Sequence, residues 1–505
     1  MEGVLIDWSI DRPVSLPVLP VELLSREQVA AELERHQVRK AMATAYEAAL
    51  ILRMAELSSD EHDPRPGTPG ARSSGWGRDE APSGVSEFFA GELALVINRG
   101  RGTATHLHGR ARTWRDDLPA TYDALRCGEL DEARAAALAD VLGSAGPELA
   151  GAVEARLLPE AVDLSVARLR ARALELLLAL DAEAADRRRD EAKRSADVFL
   201  QPGADGMATL GAELSADEAA EAYAVIDALA RMAKADGDDR PIAQLRTELF
   251  SLLLRRPGGH DQPPVTAHLT ITATLDALAG TSTAAGGVNG VTITAAHVRE
   301  LLARIAALGL QPPPQGGLTF ALTDADGRLL ATTTVAELLR LARKGCSAHP
   351  DEPCGCPVFT APPATGGYTP TERQERFVRA RDRRCRMPNC GQRVGWTDLD
   401  HVVPHACDGA TTCTNLCCLC RSHHRLKTFA RGWRFRMDTD GALHVTTPSG
   451  ITRTTRPDGL RPPSPPEPPP PEQPRSARLP ELLDLLARRT AGPPDAGPAH
   501  DPPPF

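Results

Sequence analysis

Eight side chains between Asp382 and Lys427 carry the residue types that metal binding and acid-base chemistry require: Cys385, Cys390, Asp400, His401, Asn415, Cys420, His423 and His424. Four of them suit a closed tetrahedral ion. Cys385 and Cys390 bracket a Pro-containing loop, a spacing compatible with two ligands from one knuckle, and a helix expected to start near Asn415 supplies the second pair. Residues three apart on a helix share a side, so Cys420 with His423 can close the tetrahedron, as can Cys417 with Cys420. The preferred set is Cys385, Cys390, Cys420 and His423. Four protein ligands leave no open position, so such an ion is a structural zinc that staples a small module with little apolar burial.

Asp400, His401, Asn415 and His424 are left for chemistry. Hydrolysis of a phosphodiester needs a base to deprotonate water and a cation to neutralise charge on the phosphate and the leaving oxygen. Histidine titrates near neutrality, which suits His401 to the first task. A hard divalent ion accepts carboxylate and imidazole, which suits Asp400 and His424 to the second. Asn415 can orient the imidazole or join the metal shell. Adjacent strand residues point to opposite faces, so Asp400 and His401 can take different roles.

The order Cys385-x4-Cys390, Leu399-Asp400-His401-Val402-Val403-Pro404, Gly409, Asn415-Leu416 and Leu419-Cys420-Arg421-x-His423-His424-Arg425-Leu426-Lys427 resembles an HNH nuclease domain. The resemblance implies a ββα-metal fold with Asp400-His401 on a hairpin, Asn415 on a loop and His424 on a helix. It also implies that His401 is the general base, that Asp400 and His424 hold one divalent ion (magnesium, manganese, nickel or zinc), and that Asn415 positions the site. Cys407, Cys413, Cys417 and Cys418 are not part of that pattern. The wider layout is similar to actinobacterial HNH proteins of the 13E12 repeat type, whose helical N-terminal domain is called DUF222. Gly128-Glu129-Leu130 through Arg134 to Leu142, Asp205-Gly206-Met207-Ala208 and Tyr368-Thr369-Pro370 carry that likeness.

A chain of 505 residues is too long for one ordinary core. The expected fold class is a mainly α N-terminal domain with a small α+β segment, then a zinc-stapled ββα-metal domain, then a disordered Pro-rich tail. The expected boundaries are an N-terminal segment at 1–24, a mostly helical domain at 25–340 with a flexible linker at 58–84, a linker at 341–367, the nuclease-like domain at 368–450 and the tail at 451–505. Ser25 and Gln28 have capping-box spacing ahead of a long helix. Gly203 with Asp205-Gly206 marks a hairpin, as do Leu318–Thr334 and the pair of runs on either side of Asp438–Gly441. Val265–Leu275 alternates like a half-buried strand, and His268 within it reads as structural. Leu479–Arg489 has a short amphipathic pattern.

The whole-chain charge of -9 argues against coating nucleic acid along its length. From Thr371 to Arg436, however, 14 Lys and Arg stand against 6 Asp and Glu, a local balance of about +8. The expected partner is DNA, held mainly by its backbone. Of 11 cysteines only Cys127 precedes residue 346, and clustering beside histidines favours metal ligation over a disulfide framework. Cys354-Gly355-Cys356 is spaced too closely for a typical zinc knuckle. No leader pattern opens the chain and no apolar run approaches membrane-spanning length, so a cytoplasmic protein without membrane association is expected. Two other readings compete: a zinc-stapled nucleic-acid-binding module without catalysis, and an adaptor whose helical region docks a protein. The helices from Ser86 to Leu180 read as core-packing rather than as a DNA-reading helix-turn-helix.

Overall fold

The computed structural model describes residues 19–71, 82–181, 190, 192–194, 196–255, 271–274, 277, 280–288, 291–307, 319–323, 329–334, 337 and 360–457. His268, Cys354, Cys356, most of the 341–367 linker, the Pro-rich tail and Leu479–Arg489 lie outside them. The chain divides after Lys40 into two compact units. In the first, a 3-10 turn at Val21–Leu23 precedes the start of helix α1 (Arg26–Glu56). Ser25 opens that helix with the expected capping box, its Oγ accepting from Gln28 N at 3.3 Å while its own N donates to Gln28 Oε1 at 2.9 Å.

The second unit, Ala41–Pro462, holds the remaining described elements. Its helical part is α2 (Phe89–Val96), α3 (Arg101–Asp116), α4 (Pro119–Cys127), α5 (Glu132–Leu142), α6 (Pro147–Leu157) and α7 (Val166–Leu180). Sequence-local signals set the breaks. Pro119 starts α4, Gly128 at φ 76° ends it, and the Asp131 side chain caps α5 by accepting from Arg134 N. The shared core runs through Ala41, Ala45, Ala48, Trp114, Leu125, Leu138, Leu157 and Leu177, where small alanines let the helices approach closely. These helices pack as core-formers. In the basic Arg99–Gly102 segment, Gly100 is the N-cap of α3 and Arg101 its first residue.

Next come the hairpin β1 (Val198–Pro202) and β2 (Ala208–Ala212), turning through Asp205 and Gly206 at positive φ, and the mutually packed helices α8 (Ala216–Ala235) and α9 (Ile242–Arg255). Strands β3 (Ile271–Thr272), β4 (Gly286–Val288) and β5 (Val291–Ile293) form an antiparallel sheet followed by α10 (Ala295–Ala307). The hairpin β6 (Thr319–Thr323) and β7 (Leu329–Thr334) leads to α11 (Glu372–Asp382), which Thr371 and Gln374 open with a second capping box. Then follow β8 (Thr397–His401), β9 (Leu416–Cys420), α12 (Arg421–Phe429), and β10 (Arg434–Met437), β11 (Leu443–Thr446) and β12 (Thr452–Thr455) in a three-stranded antiparallel sheet. The chain is thus mainly helical, with small antiparallel sheets towards its C-terminus.

Three local expectations differ. The helix expected near Asn415 is instead strand β9, antiparallel to β8, and the helix starts at Arg421. Leu416, Cys417, Cys418 and Leu419 are all fully buried, so this is a strand covered on both faces, whose unbroken apolar run has no period to distinguish it from a helix. Order extends past residue 450, because β12 pairs with β11 and Arg453 donates to the Leu95 and Val96 carbonyls. Within 58–84 the described residues are tied down. Asp60 accepts from Gly84 N at 2.9 Å, and Asp63 accepts from Ser86 Oγ at 2.8 Å and Glu87 N at 2.6 Å. These contacts are made by polar side chains, which a count of apolar residues does not register.

Candidate metal centre

The first cluster is built where the knuckle after α11 meets the end of β9. Asn389 adopts φ 62° within the knuckle, and Cys385 N donates to Gln392 O at 2.7 Å, which folds Cys385 and Cys390 together. Cys420 is the N-cap of α12 and His423 lies in its first turn, so the second pair comes from a strand end and a helix start rather than from two turns of one helix. Cys385 Sγ lies 3.4 Å and Cys420 Sγ 3.2 Å from His423 Nδ1, and the four donor atoms all fall within 4.8 Å of one another. Ligands about 2.0–2.3 Å from one tetrahedral zinc stand roughly 3.5–3.8 Å apart, so the spacing fits. Hydrogen bonding with Cys390 and Cys420 holds the Cys385 thiol well above its ordinary range, while Cys420 is drawn far below it by hydrogen bonds from Cys385 and Cys390. Cys385, Cys390, Cys420 and His423 could hold a metal ion such as zinc, and they are the sole group of this kind among the described residues.

The other cysteines do not join them. Burial pushes the Cys413 thiol up to about 11 and Cys418 up to about 12, and Cys417 is raised further by the same cause. Cys417 is buried in the core with Met387, Leu419 and Leu443 and is not among the four donors that lie together, so the alternative pairing of Cys417 with Cys420 is not the one formed. These three behave as small core residues.

Beside the cluster, β8, β9 and α12 bring Asp400 and His424 together. Asp400 Oδ1 lies 3.6 Å from His424 Nε2, and Asp398 Oδ2 lies 3.0 Å from the other ring nitrogen, Nδ1. Lys427 Nζ donates to the His401 carbonyl at 2.7 Å and forms an ion pair with Asp400 Oδ2 at 2.9 Å. Two ligands on one ion at about 2.1 Å stand roughly 3.0–3.4 Å apart, so the carboxylate and imidazole are near the spacing that a shared cation requires.

His401 is 4 % exposed and faces the loop that follows β8. Its Nε2 lies 2.9 Å from Thr411 Oγ1, whose hydroxyl donates to Gly367 O at 2.7 Å. A hydroxyl has one proton, so Thr411 accepts from His401, which puts the imidazole proton on Nε2 and leaves the Nδ1 lone pair free. Tyr368 stacks on the ring at 5.3 Å and His405 meets it edge-on at 5.7 Å. Burial lowers the proton affinity of His401; Asp400 opposes this, and His405 and Lys427 assist it.

Asn415 turns its carboxamide to the backbone rather than to the imidazole. Its Oδ1 accepts from Val403 N at 2.9 Å and its Nδ2 donates to Val403 O and Ala410 O, both at 3.0 Å. The carboxamide is spent on stapling the 402–410 loop, so Asn415 places His401 through the backbone. Gly409 lies under the same loop, where a Cβ would come within 1.9 Å of Val403 O. Sequence reasoning missed Asp398 and Thr411. Asp398 was detectable, standing two residues before Asp400 and so on the same strand face; Thr411 gave no signal.

Part of the local positive charge is internal. Arg381 and Arg386 are buried against Asp382, and Arg425 pairs with both Glu87 oxygens at 2.9 Å while donating to Gly70 O. Arg431 and Arg434 are exposed.

The helical region that carries those contacts can be placed among known proteins. DUF222, a domain of unknown function, matches residues 30–317, more than half of the chain. The chain belongs to the DUF222 family. Among curated relatives, it is 47% identical over 91 residues to the uncharacterized protein Rv3776 of Mycobacterium tuberculosis (strain H37Rv), covering 18% of this chain and 17% of the relative. It is 37% identical over 155 residues to the uncharacterized proteins MT2160 (strain CDC 1551) and Rv2100 (strain H37Rv) of the same species, covering 30% of this chain and 26% of each. The matched stretches thus span about a quarter or less of those relatives. No solved structure matches significantly. Both clusters of this DUF222 protein lie C-terminal to the family match. No helix among its described residues is long and apolar enough to cross a membrane.

Proposed function

We propose that this DUF222 protein is a metal-dependent HNH endonuclease that hydrolyses DNA phosphodiester bonds with a ββα-metal module, stapled by zinc on Cys385, Cys390, Cys420 and His423. The observation that carries the reading is the approach of Asp400 on β8 to His424 on α12, with the next residue of β8, His401, holding Nε2 2.9 Å from Thr411 Oγ1. A divalent ion held by Asp400 and His424 supplies charge neutralisation at the phosphate and leaving oxygen. His401 Nδ1 takes the proton from the attacking water, and Thr411 keeps Nε2 protonated so that Nδ1 stays available. Asn415 holds the loop that carries His401, and Lys427 fixes the Asp400 carboxylate from behind. Exposed arginines such as Arg431 and Arg434 suit backbone contacts that weaken with salt.

Plasmid nicking with EDTA, and with magnesium or manganese restored, tests the reading. The parent should cut only with the ion, and His401→Ala should slow cutting by roughly 10²–10⁴-fold. A mutant as fast as the parent removes His401 as the base. One observation favours the rival, a zinc-stapled DNA-binding module without catalysis: Lys427 already neutralises the Asp400 carboxylate. That rival predicts DNA binding that survives Asp400→Ala and His424→Ala, with no metal-dependent cutting.

A further inference from the structure

We propose that Asp398 is a positioning residue of the candidate catalytic centre and acts through His424, an inference that rests on the nuclease reading above. Asp398 and Asp400 alternate on one face of β8, opposite Leu419 and Cys417 of β9, and α12 lays His424 against both. The two carboxylates take opposite nitrogens of one ring. Asp398 Oδ2 stands 3.0 Å from Nδ1, which is hydrogen-bond distance, whereas Asp400 Oδ1 stands 3.6 Å from Nε2, beyond it. An imidazole that ligates a cation through Nε2 must carry its proton on Nδ1, and Asp398 is the acceptor that selects this tautomer and fixes the ring plane. Asp398 does not itself join the ligand set, because it holds the nitrogen that points away from Asp400.

Stability does not explain the contact. Asp398 is 46% and His424 34% exposed, so as an ion pair the two add little to the fold. The pairing matters where ring orientation matters, at the Nε2 lone pair.

The test uses the full zinc-loaded chain with manganese as the probe, following Mn²⁺ binding by calorimetry and plasmid nicking as a function of Mn²⁺. Asp398→Ala should weaken Mn²⁺ binding by about 10–100-fold, with zinc content and KM for DNA unchanged and kcat at saturating Mn²⁺ within about threefold of the parent. Asp398→Glu, which keeps the carboxylate, should recover most of the affinity. Unchanged Mn²⁺ affinity in Asp398→Ala overturns the proposal. So does a loss that comes with lost zinc and is not recovered by Asp398→Glu, since that marks a purely structural role. A parent that binds Mn²⁺ and cuts keeps these outcomes separate from the nuclease reading; a parent that does neither overturns both.

Discussion

The hydroxyl of Thr411 decides how His401 can act, because it spends its single proton on Gly367 O and can only accept from the ring. Thr411→Val keeps the shape and removes the acceptor, so both tautomers become populated and cutting should fall by roughly tenfold, a level that nicking kinetics resolve. The pH dependence has a definite sign. A base works when unprotonated, and His401 is pushed below an ordinary imidazole by burial, aided by His405 and Lys427 against Asp400. Cutting should therefore persist as pH drops through about 6.5 and decline only below it, whereas an unperturbed histidine would already be losing activity there. A rate profile that falls through 6.5 or above counts against this environment for the base.

At the scale of elements, α11 and β9 are joined by charge with no route to solvent. Asp382 ends α11 fully buried, accepting from Arg381, Arg386 and the Cys418 backbone N–H at 2.7–2.9 Å. Burial alone would raise its carboxyl, and the Arg381 and Arg386 guanidiniums outweigh that and hold it low. Asp382→Ala leaves two buried guanidiniums without a counter-ion and should cost about 3–5 kcal/mol, read as a lower denaturation midpoint and loss of bound zinc. The same elements mark how far sequence carries. Cys385, Cys390, Cys420 and His423 were legible because their spacing is local chemistry, and the capping box at Ser25 and the turn at Asp205-Gly206 because side chains set them. Strand β9 was not, since an apolar run buried on both faces has no period. The role of Asn415 was hidden because its partners, Val403 and Ala410, are backbone groups brought close only by the loop.

Across the molecule, the family's helical region and the module that carries the Cys/His cluster share a core. Phe88 and Leu95 from around α2 pack with Cys385, Met387, Val402, Leu426 and Val445, and Gly91 lies where a Cβ would come within 2.6 Å of Leu426. Glu87 grips Arg425, and Glu92 accepts from Ser449 N at 2.9 Å. None of this is readable from sequence, because the partners stand 290 or more positions apart. Removing zinc should consequently lower the melting temperature of the α2–α7 helices as well as of the module, seen as a shift in the helical circular dichroism transition. An unshifted helical transition would mean that the two regions unfold independently.

The joint core also imposes an order on synthesis. The Phe88–Leu95 face leaves the ribosome roughly 300 residues before the cysteine knuckle it packs against, a delay of roughly 15–60 s at ordinary elongation rates. Through that interval the nascent chain carries an uncovered apolar face, and only the arrival of its last quarter quenches it.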